Sequence, residues 1–194
     1  MIEDCTALIL AGGGSRRMGQ DKAELLLDGR TLLEQVATAM QALFPKVLVS
    51  VRQPRAGVPY AQVCDAQPGS GPLAGLVAGL AAADTGWVFA VACDMPFIAP
   101  ELVQYLASLR AGHQAVVPRV GAHPQPLAAF YRRDALPLLQ ACLDARALSL
   151  RGALDKLTVR YADESGLRQF DAALHSFFDL DTPQEWAAAT TMRK

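Results

Sequence analysis

The fold class of this sequence is decided by a short apolar stretch that ends in glycines, TALILA at residues 6–11 followed by GGG at residues 12–14. A short apolar run that stops at glycines is typical of a buried β-strand, because glycine interrupts regular structure and allows a tight turn. We therefore predict a first strand at residues 6–11 with a glycine-rich loop directly behind it.

Strand and helix patterns alternate along the rest of the chain. At residues 31–43 the apolar side chains share one helical face, and Thr31 and Glu34 are spaced for a capping box. Apolar runs predict strands at 46–51, 87–92 and 115–118, with an additional strand at 126–131 and a short one at 177–180. Further helices are predicted at 72–83, 100–109, 134–145 and 149–157, with a last one starting at Thr182. This order predicts an α/β protein with a mostly parallel sheet and helices on both faces.

Length and composition limit the class of protein. A chain of 194 residues is expected to form one domain, residues 1–194. Eighteen Lys and Arg against 19 Asp and Glu give a net charge of −1, which provides no extended basic surface for a nucleic acid. The four cysteines are widely spaced and predict no disulfide framework. Acidic residues near the N-terminus and the lack of a long apolar run lead us to expect a cytoplasmic protein that does not contact a membrane.

The loop behind the first predicted strand, GGGSRRMGQDK at residues 12–22, has the composition of a phosphate-binding segment. Glycines let the backbone approach a phosphate, and Arg17 and Lys22 can neutralise its charge. The loop is not a Walker A motif, because Gln20 occupies the lysine position. It is also not a dinucleotide fingerprint, because Arg17 stands where the third glycine belongs.

A second candidate site follows the predicted strand at residues 87–92. Asp94 comes directly after this apolar run, within Cys93-Asp94-Met95-Pro96. A carboxylate at the carboxyl end of a strand suits Mg²⁺, which binds one or two protein carboxylates together with substrate phosphates. A turn that is capped by Asp94 ahead of Pro96 would produce the same pattern.

Together these segments resemble the molybdenum cofactor guanylyltransferase family. The resemblance covers LILAGGGSRRMGQDK at residues 8–22, GPLAG at 71–75, CDMP at 93–96, QPL at 125–127 and DTPQE at 181–185, in the family's order. It implies a three-layer α/β/α fold with a mostly parallel, Rossmann-like sheet of the nucleotide-diphospho-sugar transferase type. It also implies transfer of GMP from GTP to (molybdenum-loaded) molybdopterin with Mg²⁺, which releases pyrophosphate and forms a molybdopterin guanine dinucleotide cofactor.

The resemblance also implies roles for individual residues. The implied catalytic residues are Arg17, Lys22 and Asp94, and Asp94 is also the implied Mg²⁺ ligand. Nucleotide binding is implied for Leu10, Ala11, Gly12, Gly13, Lys22, Ser50, Asp65, Gly71 and Asp94. The pterin substrate is expected to meet Gln125, Asp179 and Asp181.

At three positions the sequence departs from the family pattern. Ser50 stands where family members carry asparagine, so a ribose contact rests on a shorter side chain. Asp179 and Asp181 stand where relatives often carry asparagine. Aspartates at these two positions would bind Mg²⁺ better but would repel a pterin phosphate, and the sequence does not decide between these outcomes.

Three alternative functions remain open from the sequence. Cytidylyltransferases for the same pterin tend to read LAAG in the first loop, whereas this chain reads LAGG at residues 10–13. Sugar-phosphate nucleotidyltransferases share the loop but are usually longer, and a non-catalytic nucleotide-binding module would not need Arg17, Lys22 and Asp94. Because the cofactor is labile, we also expect transient contact with proteins that donate or accept it.

Overall fold

The computed structural model describes residues 1–12, 22–64, 70–180 and 185–186, with Lys22 described by its backbone only. The strands are β1 (Cys5–Leu10), β2 (Leu26–Leu27), β3 (Arg30–Thr31), β4 (Lys46–Val51), β5 (Ala61–Cys64), β6 (Trp87–Ala92), β7 (Ala115–Val120), β8 (His123–Pro124), β9 (Ala128–Arg132) and β10 (Val159–Asp163). The helices are α1 (Leu32–Leu43), α2 (Gly71–Ala82), α3 (Pro100–Ser108), α4 (Leu136–Asp144), α5 (Leu150–Leu154) and α6 (Glu164–Leu167).

The main sheet has the strand order β10-β7-β9-β6-β1-β4-β5, and β8 pairs with β7. β1 pairs in parallel with β4 on one side and with β6 on the other, and β4 pairs in parallel with β5. β9 is antiparallel to both of its neighbours, β6 and β7. The chain leaves β1 towards β4 but leaves β6 towards β7, so the connections diverge between β1 and β6. The open edge at such a divergence is where α/β sheets bind ligands.

Helices cover both faces of the sheet, as predicted. Side chains of β1 alternate between the two apolar cores, with Cys5, Ala7 and Ile9 on one face and Leu8 and Leu10 on the other. The first core includes α1 and α3, and the second includes α2, α4 and α5. The first core is dry enough that burial raises the pKa of the Cys5 thiol to about 12. The three-layer α/β/α prediction is confirmed.

The start of α1 agrees with the sequence in detail. Thr31 Oγ1 accepts a hydrogen bond from the Glu34 backbone N–H at 3.1 Å, and Glu34 Oε2 accepts from the Thr31 N–H at 2.8 Å. This reciprocal capping box satisfies two backbone donors that a helix start otherwise leaves without partners. The Thr31 hydrogen bonds also lower the pKa of the Glu34 carboxyl.

The predicted short strand at residues 177–180 is wrong. His175–Phe177 instead form a 3-10 turn, and the Ser176 hydroxyl accepts a hydrogen bond from the Ala99 N–H at 2.9 Å. The Phe178 ring packs against Phe97, with 6.4 Å between ring centroids. The apolar residues that suggested a strand therefore pack against the connection between β6 and α3. Within the described part of the chain, no helix is long and apolar enough to span a membrane.

The sequence reading missed several short or peripheral elements. These are the β2–β3 hairpin, β5, β8, β10 and α6. The predicted helix at 149–157 is shorter in the structure, and the start of the predicted last helix, residues 182–184, lies outside the described residues. Glu185 and Trp186 are helical, as that prediction requires.

Close packing of α2 on the sheet depends on two glycines. A Cβ atom built on Gly79 would lie 2.2 Å from Leu8 Cδ2 and 2.9 Å from Leu8 Cγ. A Cβ atom on Gly75 would lie 2.6 Å from Ser50 Oγ and 3.1 Å from Leu10 Cδ2. The helix backbone therefore lies directly on β1 and β4 with no side chain between them.

We predict that Gly79→Ala destabilises the protein even though alanine is the better helix former. Overpacking against the fully buried Leu8 should cost about 1–3 kcal/mol. The gain in helix propensity offsets only about 1 kcal/mol. Gly152→Ala in α5 is the matched control, because its Cβ would meet nothing closer than 3.6 Å. Urea unfolding should show a lower midpoint for Gly79→Ala and an unchanged or higher one for Gly152→Ala. A midpoint for Gly79→Ala at or above the wild-type value would contradict this packing.

Candidate active site

The glycine segment and the aspartate segment leave the sheet side by side. Leu10 is in register with Ala92 of β6 and with Ser50 of β4. Beyond the strands, the Cys93 N–H donates to the Leu10 carbonyl at 3.2 Å, and the Ala11 N–H donates to the Ser50 carbonyl at 2.9 Å. Parallel pairing thus extends past β1 on both sides. It brings Gly12 and Asp94, which are 82 residues apart in sequence, to the same edge.

Asp94 is half-buried in a turn that is anchored on both sides. Its neighbours Cys93 and Met95 are buried, and the Met95 N–H donates to the Ala92 carbonyl at 3.3 Å. The Asp94 carbonyl accepts from the Leu180 N–H at 3.2 Å. Anchoring of the backbone from two directions holds the carboxylate of Asp94 at the edge of the sheet.

The N-terminus of α2 lies at this edge as well. α2 packs through Gly75 above Leu10 and Ser50 and runs back along β1 to Gly79. Gly71 starts the helix with φ of 69°, a conformation that favours glycine. The backbone N–H groups and the dipole of a helix N-terminus attract anions, so this end of α2 adds a favourable field for phosphate.

Ser50 occupies a different place from the one its predicted ribose contact needs. Only 4 % of Ser50 is exposed, and its hydroxyl lies against the backbone of α2 at Gly75. Its carbonyl contributes to the edge by accepting from Ala11. The ribose contact stays a prediction, and the burial of this side chain argues against it.

The residues expected to meet the second substrate lie at the same edge. The Ala92 N–H donates to the Leu127 carbonyl at 3.2 Å, which places the segment ahead of β9 next to the end of β6. Gln125 lies two residues earlier, and its N–H donates to the Pro118 carbonyl at 2.8 Å. Asp179 is exposed and precedes Leu180, whose backbone bonds to Asp94. Gln125 and Asp179 therefore flank the loop that carries Asp94.

A buried tyrosine supports the Gln125 segment. The Tyr131 hydroxyl donates to the Pro126 carbonyl at 2.8 Å, and Tyr131 is fully buried. Burial raises the pKa of Tyr131, so the phenol keeps its proton and remains a donor. This hydrogen bond fixes the backbone immediately after Gln125.

Several predicted site residues cannot be placed on this edge. Lys22 is described only as the first residue of a 3-10 turn, Lys22–Glu24, that leads into the β2–β3 hairpin. The others lie outside the described residues: Gly13, Arg17, Asp65 and Asp181.

The structure adds two arginines and a glutamate that sequence reasoning missed. Arg52 Nε donates to the Gly12 carbonyl at 2.6 Å, and an Arg55 NH2 nitrogen lies 3.3 Å from the Ala11 carbonyl that accepts from it. Arg55 also lies 3.9 Å from Glu24 Oε1. The position of Arg52 just after β4 was a usable signal, because β4 ends at the edge where β1 ends.

The donor set at this edge suits Mg²⁺ bound together with a substrate. Among the described residues, no three His, Cys, Asp or Glu side chains form a group that could hold a metal alone. Asp94 supplies a half-buried carboxylate beside the glycine segment. Mg²⁺ is typically held by one or two carboxylates, with phosphates and water as its other ligands. Asp94 is therefore the described residue that fits a magnesium site completed by phosphate.

The fold and this edge define a class: α/β proteins that bind nucleotides at the carboxyl ends of a mostly parallel sheet. Comparison with known proteins gives the family. Residues 7–164 match the family described as "MobA-like NTP transferase domain". This chain belongs to the MobA-like NTP transferase family and is an enzyme of the nucleotidyltransferase class.

Named relatives agree along nearly the whole chain. A protein of Pelotomaculum thermopropionicum named "Probable molybdenum cofactor guanylyltransferase" is 35% identical over 189 residues, 96% of this chain and 92% of that protein. A "Molybdenum cofactor guanylyltransferase" of Syntrophotalea carbinolica is 34% identical, over 93% of this chain and 88% of that protein. The crystal structure of "Molybdopterin-guanine dinucleotide biosynthesis protein A" from Archaeoglobus fulgidus superposes with a TM-score of 0.87 at 29% identity, covering 97% of this chain and 98% of the other.

The fold is shared more widely than the sequence. The structure of 2-C-methyl-D-erythritol 4-phosphate cytidylyltransferase from Thermus thermophilus superposes with a TM-score of 0.70 at 17% identity, covering 96% of this chain and 97% of the other. At this identity the likeness shows the fold alone. The predicted nucleotide-diphospho-sugar transferase type is confirmed by these neighbours.

We predict that side chains at Gly12 weaken nucleoside triphosphate binding without affecting folding. A Cβ atom at Gly12 would lie 3.6 Å from Arg52 Cγ, an ordinary contact, so Gly12→Ala should fold normally. Gly12→Leu extends over the edge and should lower the affinity at least about 10-fold, whereas Gly12→Ala should lower it less. Titration calorimetry with GTP measures both affinities, and thermal unfolding checks the fold. Wild-type affinity in Gly12→Leu would show that the nucleotide does not approach this backbone.

Proposed function

We propose that this protein, acting as one domain over residues 1–194, transfers GMP from GTP to molybdopterin, with or without bound molybdenum. The products would be a molybdopterin guanine dinucleotide cofactor and pyrophosphate. The observation that carries the proposal is the hydrogen bond from the Cys93 N–H to the Leu10 carbonyl, because it brings the glycine segment and Asp94 together. The names of relatives at 34–35% identity supply the substrates in this proposal.

The reaction requires charge neutralisation and positioning more than proton transfer. A terminal phosphate oxygen of molybdopterin attacks the α-phosphorus of GTP, and the bond from that phosphorus to the bridging oxygen of pyrophosphate breaks. The attacking phosphate is already ionised at neutral pH, so no strong general base is needed. Phosphoryl and nucleotidyl transfer of this kind depends on in-line alignment and on cations around the phosphates.

The residues of this chain have complementary roles in the proposal. The backbone at Leu10–Gly13 lies along the nucleotide, and Arg17 and Lys22 balance the negative charge of the triphosphate. Asp65 and Gly71 belong to the nucleoside pocket, next to the N-terminus of α2. Asp94 would hold Mg²⁺, which, when bound, withdraws charge from the phosphates.

The choice of guanine over cytosine is supported by the first loop. Residues 10–13 read LAGG rather than the LAAG of the related cytidylyltransferases. The relatives named above also carry the guanylyltransferase name. Both observations favour GTP as the nucleotide substrate.

The pterin side of the site is proposed from position. Gln125 and Asp179 flank the Asp94 loop on the side of the sheet away from β4. Asp181 is the third residue of this group. A pterin held there would present its phosphate towards the nucleotide. We also propose that delivery and removal of the labile cofactor involve transient contact with donor or acceptor proteins.

A substrate panel tests the proposal. Purified protein is incubated with Mg²⁺, molybdopterin and one of GTP, CTP or ATP, and pyrophosphate release is measured with and without the pterin. We expect release with GTP only, and only when molybdopterin is present. Release with CTP alone would contradict the choice of base, and no release with any nucleotide would contradict the proposed reaction.

Paired charge variants separate site residues from other surface charges. Asp94→Asn and Lys22→Ala should each lower turnover about 100-fold or more, because the migrating charge loses its partner. Asp84→Asn and Lys46→Ala are the matched controls, since these residues form an exposed ion pair at the opposite edge of the sheet. The controls should retain wild-type turnover in the pyrophosphate assay. Normal turnover in Asp94→Asn would remove this carboxylate from the mechanism.

A further inference from the structure

We propose that Arg55 is a positioning residue that holds the two ends of the glycine segment, residues 11–24, in the geometry that receives the nucleotide. The proposal rests on the proposed function and adds a residue outside the glycine segment and the aspartate loop. Arg55 lies in the connection between β4 and β5, 31 positions after the end of that segment.

The guanidinium of Arg55 reaches both ends of the segment. One terminal nitrogen donates to the Ala11 carbonyl at 3.3 Å, just after β1. The other lies 3.9 Å from Oε1 of Glu24, in the 3-10 turn that begins with Lys22. A planar guanidinium with donors pointing in several directions can serve two acceptors at once, whereas a lysine ammonium lacks this fork.

Arg55 is itself held in place by β5. Its backbone N–H donates to Gln62 Oε1 at 2.8 Å, and Gln62 Nε2 donates to the Arg55 carbonyl at 2.8 Å. The Arg55 side chain is 21% exposed. A backbone fixed by two reciprocal hydrogen bonds and a largely buried side chain give the guanidinium a defined position. Glu24 is 76% exposed, so its contact with Arg55 should be the weaker of the two.

A second arginine acts on the next carbonyl of the segment. Arg52 Nε donates to the Gly12 carbonyl at 2.6 Å. The described chain has no cis peptide bonds, and a trans peptide points its N–H away from its carbonyl. With the Ala11 carbonyl turned towards Arg55, the Gly12 N–H points to the opposite side. Arg55 therefore fixes the direction in which the segment offers its first glycine N–H group.

Holding both ends in advance should lower the entropic cost of nucleotide binding. A loop whose ends are free must be ordered when the ligand arrives, and that cost reduces affinity. Once nucleotide is bound, the ends are ordered by the ligand itself. Loss of Arg55 should therefore raise KM and Kd for GTP more than it lowers kcat.

A double-mutant cycle on Arg55 and Glu24 is the central experiment. We expect Arg55→Met to raise the Kd of GTP about 10-fold with kcat changed less than about 3-fold. Glu24→Gln should raise Kd about 2-fold, with no further increase when it is added to Arg55→Met. Lys46→Met is the matched control, because it removes an exposed basic residue and its ion pair at the opposite edge. Additive effects on Kd, or an unchanged Kd in Arg55→Met, would overturn the proposal.

Arg55→Lys distinguishes positioning from simple charge. Lysine keeps the positive charge but cannot bridge Ala11 and Glu24, so the Kd of GTP should stay raised. Full recovery of wild-type affinity in Arg55→Lys would assign Arg55 to charge attraction and overturn positioning.

Hydrogen–deuterium exchange of the ligand-free protein keeps the test independent of the reaction. Arg55→Met and Arg55→Lys should both accelerate exchange in peptides that contain Gly12 and in peptides that contain Ala23 and Glu24. Lys46→Met should leave these peptides unchanged. Unchanged exchange in both Arg55 variants would overturn the proposal even if GTP turnover is normal. Faster exchange in a protein that fails to use GTP would support Arg55 positioning and reject the proposed function.

Discussion

The pairing of β1 between β4 and β6 is the constraint on which the rest of the site depends. Register with both neighbours ends at Leu10, and the hydrogen bonds of Ala11 and Cys93 continue it by one residue on each side. The glycine segment and Asp94 consequently leave the sheet next to each other. A shift of β6 by one residue would turn its alternating side chains to the opposite faces and disrupt both cores, so burial on two faces fixes the site geometry.

Two further features adapt this edge to a phosphate ligand. Gly75 and Gly79 let the backbone of α2 lie directly on β1 and β4, which brings the helix N-terminus to the edge. Arg52 and Arg55 bind the carbonyls of Gly12 and Ala11 from the side of β4. Positive field and oriented N–H groups are thus concentrated at one point of a chain whose net charge is only −1.

How much could be predicted depends on where each element lies. β1, β4 and β6 were predictable because strands buried on both faces read as continuous apolar runs. β5 and β10 were missed because they are edge strands with exposed positions, as in VRYAD at residues 159–163. Leu10, Gly12 and Asp94 were found because they adjoin such apolar runs. Arg55 could not be found, since its role depends on how a loop folds back onto β1. Phe178 misled the prediction because an aromatic that packs on Phe97 resembles a strand residue.

The account's central claim is that the nucleotide binds where β1 and β6 end. The most direct measurement is the hydrogen-exchange difference between the wild-type protein with and without saturating Mg²⁺ and GTP. The account predicts slower exchange in peptides spanning Leu10–Gly12, Gly71–Gly75 and Cys93–Met95. It predicts no change at the opposite edge, around Lys46 and Asp84. Protection at that opposite edge, or none at Gly12 and Asp94 under saturation, would contradict it.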